Sequence, residues 1–231
     1  MKKQIVIIML ILILVSIVII RCSSNRLHEY EFNETTVAAM MATPPRAQIF
    51  SDSFYLGSQG LVETAIRIGT SIGKEIQLRQ AQQRLDNAMT QVNIPEQIRK
   101  RTLEQSSEYL YFYPLEETKG ADFLMMMKIK KYGIEAKSWD ASVEFIIDLN
   151  VRLIDNVRHI EVWEKTIREK TVITGSIFGL GESFGNVLTA SALSDLSEEE
   201  MITGFTHLAD YTADRVAEKI EEDFIEAHSQ E

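Results

Sequence analysis

Cysteine is almost missing from this chain of 231 residues: Cys22 is the only one, which excludes an internal disulfide framework and a cysteine-based zinc site. The four histidines, at positions 28, 159, 207 and 228, include no pair three or four residues apart, so the helical His-Glu-x-x-His metal motif is absent. His207 reads as a surface or boundary residue. No Gly-x-Ser-x-Gly nucleophile elbow occurs, and Gly175-Ser176 lacks the second glycine. The glycines at 179, 181 and 185 miss the dinucleotide-loop spacing by one and do not open a βαβ unit. Bases are also scarce, 24 against 34 acids, for a formal net charge of −10. Without residues 1–21 the chain loses Lys2, Lys3 and Arg21 and no acid, and the charge becomes −13. Such a domain is a poor nucleic-acid binder. No cofactor or metal is implied, and the acids Glu144 and Asp148, on the wet face of a strand, are explained by solubility.

What is present begins with a sixteen-residue run, Ile5 to Ile20, in which only Ser16 is polar, preceded by Lys2 and Lys3. At ~1.5 Å per residue it spans roughly 24 Å as a helix, short of a hydrocarbon core of about 30 Å. Residues 1–21 are therefore a signal peptide or a short membrane anchor. Cys22 stands directly after the run, an arrangement that resembles the bacterial lipoprotein pattern, in which the cysteine becomes the acylated first residue of the mature chain. That resemblance implies lipid (palmitate) attachment at Cys22 and membrane association. Arg21 departs from the pattern, which has a small residue there. Residues 22–47 are polar or small and end in Thr43-Pro44-Pro45, so they read as a polar tether.

Residues 48–231 read as one α+β domain. Apolar residues recur in three- and four-residue steps from Leu61 to Val92, which predicts a long amphipathic helix, and Asn93-Ile94-Pro95 predicts a stop and a restart running to about Ser106. The aromatic run Tyr109–Tyr113, closed by Pro114, predicts a short strand, and a second is expected from Ala121 to Glu135 with Phe123, Met125, Met127 and Ile129 on one face. The strongest signal is Val143, Phe145, Ile147, Leu149, Val151 and Leu153, six successive odd positions all apolar. A turn at Asp155-Asn156 and a shift of alternation near Trp163 predict a hairpin with a bulge. The expected architecture is an antiparallel meander of three to five strands, with one apolar face covered by long N-terminal and C-terminal helices. The C-terminal helix starts at a capping box, Ser197 with Glu200, and carries the stripe Met201, Phe205, Leu208, Thr212, Val216, Ile220 and Phe224.

Residues 174–192 form a glycine-rich apolar insertion, and its Ile177, Phe178, Leu180 and Phe184 are candidate contacts with a partner or a membrane. The competing use of those side chains is packing onto the domain's own helices. From Ala121 to Lys165 the chain is similar to the sheet of small bacterial envelope proteins, namely the N-terminal domain of TolB and outer-membrane export and assembly lipoproteins. The resemblance rests on Ala121-Asp122-Phe123, Leu153-Ile154-Asp155 and Trp163, and it implies an envelope partner protein and no catalytic residue. The expectation is thus a non-catalytic, membrane-tethered binding or assembly component of the cell envelope, facing the periplasm. Two alternatives are a carboxylate-based envelope hydrolase or peptidoglycan-modifying enzyme, and a carrier of an apolar molecule in a tunnel lined by Met125 and Met127.

Overall fold

The computed structural model describes residues 25–51, 72–136, 142–173 and 196–229. Its strands are β1 (Thr36–Met41), β2 (Gln48–Ser51), β3 (Tyr113–Leu115), β4 (Phe123–Ala136), β5 (Val143–Asp155) and β6 (Ile160–Val172). Its helices are α1 (Ile72–Gln91), α2 (Ile94–Leu110) and α3 (Glu198–His228). The odd positions of β5 from Val143 to Leu153 are each 2% exposed or less, while the even ones, Ile146 apart, are only half-buried. One face of the sheet therefore carries the core and the other is open. The helices form a single layer on the core face, with α3 packed against α1 and α2. Arg101 holds Asp214 at 2.8 Å between α2 and α3, and Asn87 donates to Glu198 at 2.7 Å between α1 and α3.

β4, β5 and β6 form the expected antiparallel meander. In the last hairpin the register passes from Leu153 opposite Trp163 to Ile154 opposite Glu161, so Val162 is the extra residue of the bulge expected near Trp163. A second bulge leaves Lys130 unpaired in β4 and changes the buried set from Phe123, Met125, Met127 and Ile129 to Tyr132 and Ile134. Just beyond it, Gly133 has φ 151° and lies against β2, where an added Cβ would stand 1.8 Å from the Gln48 carbonyl oxygen. Only glycine fits there.

The sheet is larger and more mixed than expected: six strands, with β1 parallel to both β3 and β4, and β2 parallel to β4. The additional strands come largely from the stretch expected to be a tether. Leu27, Tyr30 and Phe32 are buried, and β1 lies between β3 and β4. Small residues covered on both faces hid this strand, because Ala38 and Ala39 give no alternation of apolar and polar positions. The aromatic strand is also corrected. Helix α2 runs on to Leu110, Tyr111 ends it in the left-handed conformation at φ 59°, and the strand is 113–115, containing Pro114. Leu103, Ser106 and Leu110 continue the buried stripe of α2, so helix packing outweighs aromatic strand propensity there.

Other expectations hold. Asn93 caps α2 by accepting from the Glu96 N–H at 3.2 Å, with Pro95 in its first turn. The Ser197–Glu200 capping box opens α3, whose stripe from Met201 to Ile220 is buried with Phe224 packed beside it. The predicted helix from Leu61 lies within the described residues only from Ile72 onward.

Candidate interaction surface

The phrases that carried the resemblance meet at one end of the sheet. Asp122 Oδ2 accepts from the Thr36 N–H at 2.8 Å and from its hydroxyl at 2.6 Å, which fastens the start of β1 to the start of β4. These hydrogen bonds hold the Asp122 carboxyl below the usual range. Asn156 donates from its N–H to the Asp122 carbonyl and from Nδ2 to the Ala121 carbonyl, each at 2.8 Å. Asp155 closes the β5–β6 turn by accepting from the N–H groups of Val157 and Arg158. Trp163 has a different role: its Nε1 donates at 2.9 Å to Asp223 of α3, which also holds Lys165 Nζ at 2.9 Å. All of these contacts are structural. They explain the motif residues without chemistry on a substrate.

The open face is where side chains remain available. Residues paired in register point to the same side. Leu115, Ala38, Leu124 and Ile154 therefore form one row across β3, β1, β4 and β5, and Met40 and Met126 begin the next row, which continues through Arg152 to Glu164. Met40 is 41% exposed and Tyr113, at the β3 edge, 60%. Leu115, Leu124, Met126 and Ile154 are half-buried and Ala38 is fully buried between them, so the two rows form an apolar patch at this end of the face. Lys128 stands beside it in the third row, opposite Asn150.

Charge alternates along the rest of this face. Arg152 lies 3.7 Å from Glu161, and Arg168 3.3 Å from Asp148, whose other oxygen is buried without a hydrogen-bond partner. Lys170 and Lys131 converge on Glu135, and the adjoining Lys170 ammonium holds its carboxyl below the usual range. Lys131 Nζ also sits 3.9 Å above the ring of Phe50, which is buried on this face. A face of matched charges around an apolar patch suits contact with another surface. Among the described residues no group of His, Cys, Asp and Glu could hold a metal ion, and no helix is long and apolar enough to cross a membrane.

No family model matches the chain, and no curated protein matches it. Solved structures do. A Xanthomonas campestris protein of a family of unknown function has 8% identity and a TM-score of 0.38, over 83% of this chain and 90% of its own. The PelC dodecamer of Paraburkholderia phytofirmans is 10% identical at a TM-score of 0.28, over 75% and 87% of the two chains. A lipoprotein of Neisseria meningitidis gives 10% and 0.28, over 60% and 83%. Lipoproteins are thus among the structures this chain is similar to, a likeness that does not extend to function.

The sequence candidates Cys22, Ile177, Phe178, Leu180 and Phe184 all lie outside the described residues. The open-face patch was missed by sequence reasoning, although a signal existed. The segments Ala38–Met41 and Phe123–Met127 are apolar at every position, which marks a strand with both faces apolar rather than one.

Proposed function

We propose that this protein is a membrane-tethered, non-catalytic binding or assembly component of the bacterial envelope, attached through Cys22 and engaging its partner with the open face of the sheet. What supports the tethering is how early the folded domain begins. Arg26 donates its N–H to the Val162 carbonyl at 2.8 Å, and Leu27 is wholly buried. Three Cα steps separate Cys22 from Asn25, a reach of about 11 Å. The domain therefore sits close to the bilayer rather than on a long leash, with the Arg26 end of the sheet and the neighbouring β5–β6 turn nearest to it. Support for binding comes from the patch of exposed Met40 with half-buried Leu124, Met126 and Ile154, large apolar side chains on the face of the sheet that the helices do not cover.

A photo-crosslinking amino acid placed in cells at Met40 or Met126 tests the binding surface. The expected result is one adduct of the same mass from both positions, absent from Lys100 on the helix layer and lost with Leu124→Glu. Equal labelling from Lys100 would contradict the assignment of the open face.

A further inference from the structure

The outer edge of β6 carries a pattern that the envelope role does not use. Among the described residues no strand pairs with that edge, and its only outside contact at the start is the Arg26 N–H on the Val162 carbonyl. In the seven residues beyond, Glu164-Lys165-Thr166-Ile167-Arg168-Glu169-Lys170, reversal exchanges glutamate with lysine at the two positions of each end and Thr166 with Arg168, and isoleucine lies at the centre. Glu164 and Thr166 are exposed, and the Arg168 and Lys170 side chains are 75% and 55% exposed. We propose that two copies of this chain pair antiparallel through this edge, with Ile167 opposite Ile167 of the second copy.

Registers can be compared directly. An antiparallel pair of identical edges is related by a two-fold axis perpendicular to the sheet, and opposed residues must point to the same face. Registers are therefore allowed only in two-residue steps, each centred on one residue. Centred on Ile167, Glu164 faces Lys170 of the second copy and Lys165 faces its Glu169, and symmetry doubles both pairs. Centring on Thr166 gives only Glu164 with Arg168, twice. Centring on Lys165 or Arg168 sets like charges face to face on the axis, which is unfavourable.

Charged edges commonly guard against strand addition. Here the charges reject the two outer registers and favour one. Each group already has a partner on its own chain: Asn150 for Glu164, Asp223 for Lys165, Arg215 for Glu169 and Glu135 for Lys170. Pairing would add a second opposite charge to groups that have several donors or acceptors to offer. It would also set the two Ile160 ends about 46 Å apart. Two anchored copies would then lie with the sheet along the membrane rather than upright on it. Pairing in solution does not depend on anchoring, so its failure would leave the envelope reading intact.

The test uses the full chain in detergent, with molar mass from light scattering across a concentration series and circular dichroism to confirm folding. A dimer is expected, loosened at least tenfold by Glu164→Lys and restored by Glu164→Lys with Lys170→Glu. A monomer throughout, or a dimer indifferent to these changes, would overturn the proposal. Cysteine crosslinking gives the register independently of dimer strength. A mixture of Thr166→Cys and Arg168→Cys chains should form the mixed covalent dimer under mild oxidation, whereas crosslinking by Thr166→Cys alone, or none, would overturn the Ile167-centred register.

Discussion

Replacing Asp223 by alanine removes the lock between α3 and the sheet. The carboxylate is 7% exposed and accepts from Trp163, itself 1% exposed, and from Lys165. In the variant the Trp163 N–H stays buried with no partner, which costs about 1–3 kcal/mol. Lys165, whose side chain is 37% exposed, can turn to water, so the loss of its ion pair adds at most about 1 kcal/mol. A total near 3 kcal/mol is a large share of the roughly 5–15 kcal/mol that holds a domain together. Asp223→Asn keeps an oxygen for the indole and should cost only about 1 kcal/mol. Urea unfolding at pH 7, followed by tryptophan fluorescence and circular dichroism, reads both variants as a lower midpoint with an unchanged slope. Burial pushes the Asp223 carboxyl up, but the hydrogen bonds from Trp163 and Lys165 and the Lys165 and Lys219 charges outweigh it, and the net shift is downward. Its ionised-state contribution is therefore fully present above the ordinary aspartate value of about 3.8 and is lost as pH falls through the lower folded value. The gap between the wild type and the alanine variant should narrow in that acid range. An alanine variant within 1 kcal/mol of wild type, or an asparagine variant equally damaged, would refute this reasoning.

Further perturbations probe the rest of the frame. Gly133→Ala places a methyl group inside the Gln48 backbone and should detach β2 from β4 or cost more than about 3 kcal/mol, seen as fast amide exchange at Ile49 and Phe50. Asp122→Ala leaves the Thr36 N–H without its acceptor and should cost about 1.5–3 kcal/mol by urea unfolding, with early exchange in β1. Ser197→Ala opens the capping box of α3 and should cost about 1 kcal/mol, measured as a lower thermal midpoint.

Legibility followed how plainly one physical effect governed each segment. β5 has one packed face and one wetter face, so its alternation was readable residue by residue, and the slip at Trp163 located a real bulge. The α3 start was readable because Ser197 and Glu200 satisfy two backbone groups reciprocally. β1 was hidden because its side chains from Val37 to Met41 are apolar on both faces, so no polar position alternates with them, and its polar surroundings looked like a tether. Tyr109–Tyr113 misled because strand propensity and a helix stripe point to different structures, and packing of Leu110 decides. The open-face patch was legible only as two segments apolar at every position, Ala38–Met41 and Phe123–Met127, and it is the pairing of Met40 with Met126 that joins them into one surface.

The most direct test of the tethering claim is intact mass spectrometry of the mature protein isolated from bacterial membranes. The expected result is a chain that begins at Cys22 and carries acyl groups, with residues 1–21 removed. An unmodified Cys22 with residues 1–21 still attached would contradict lipid attachment.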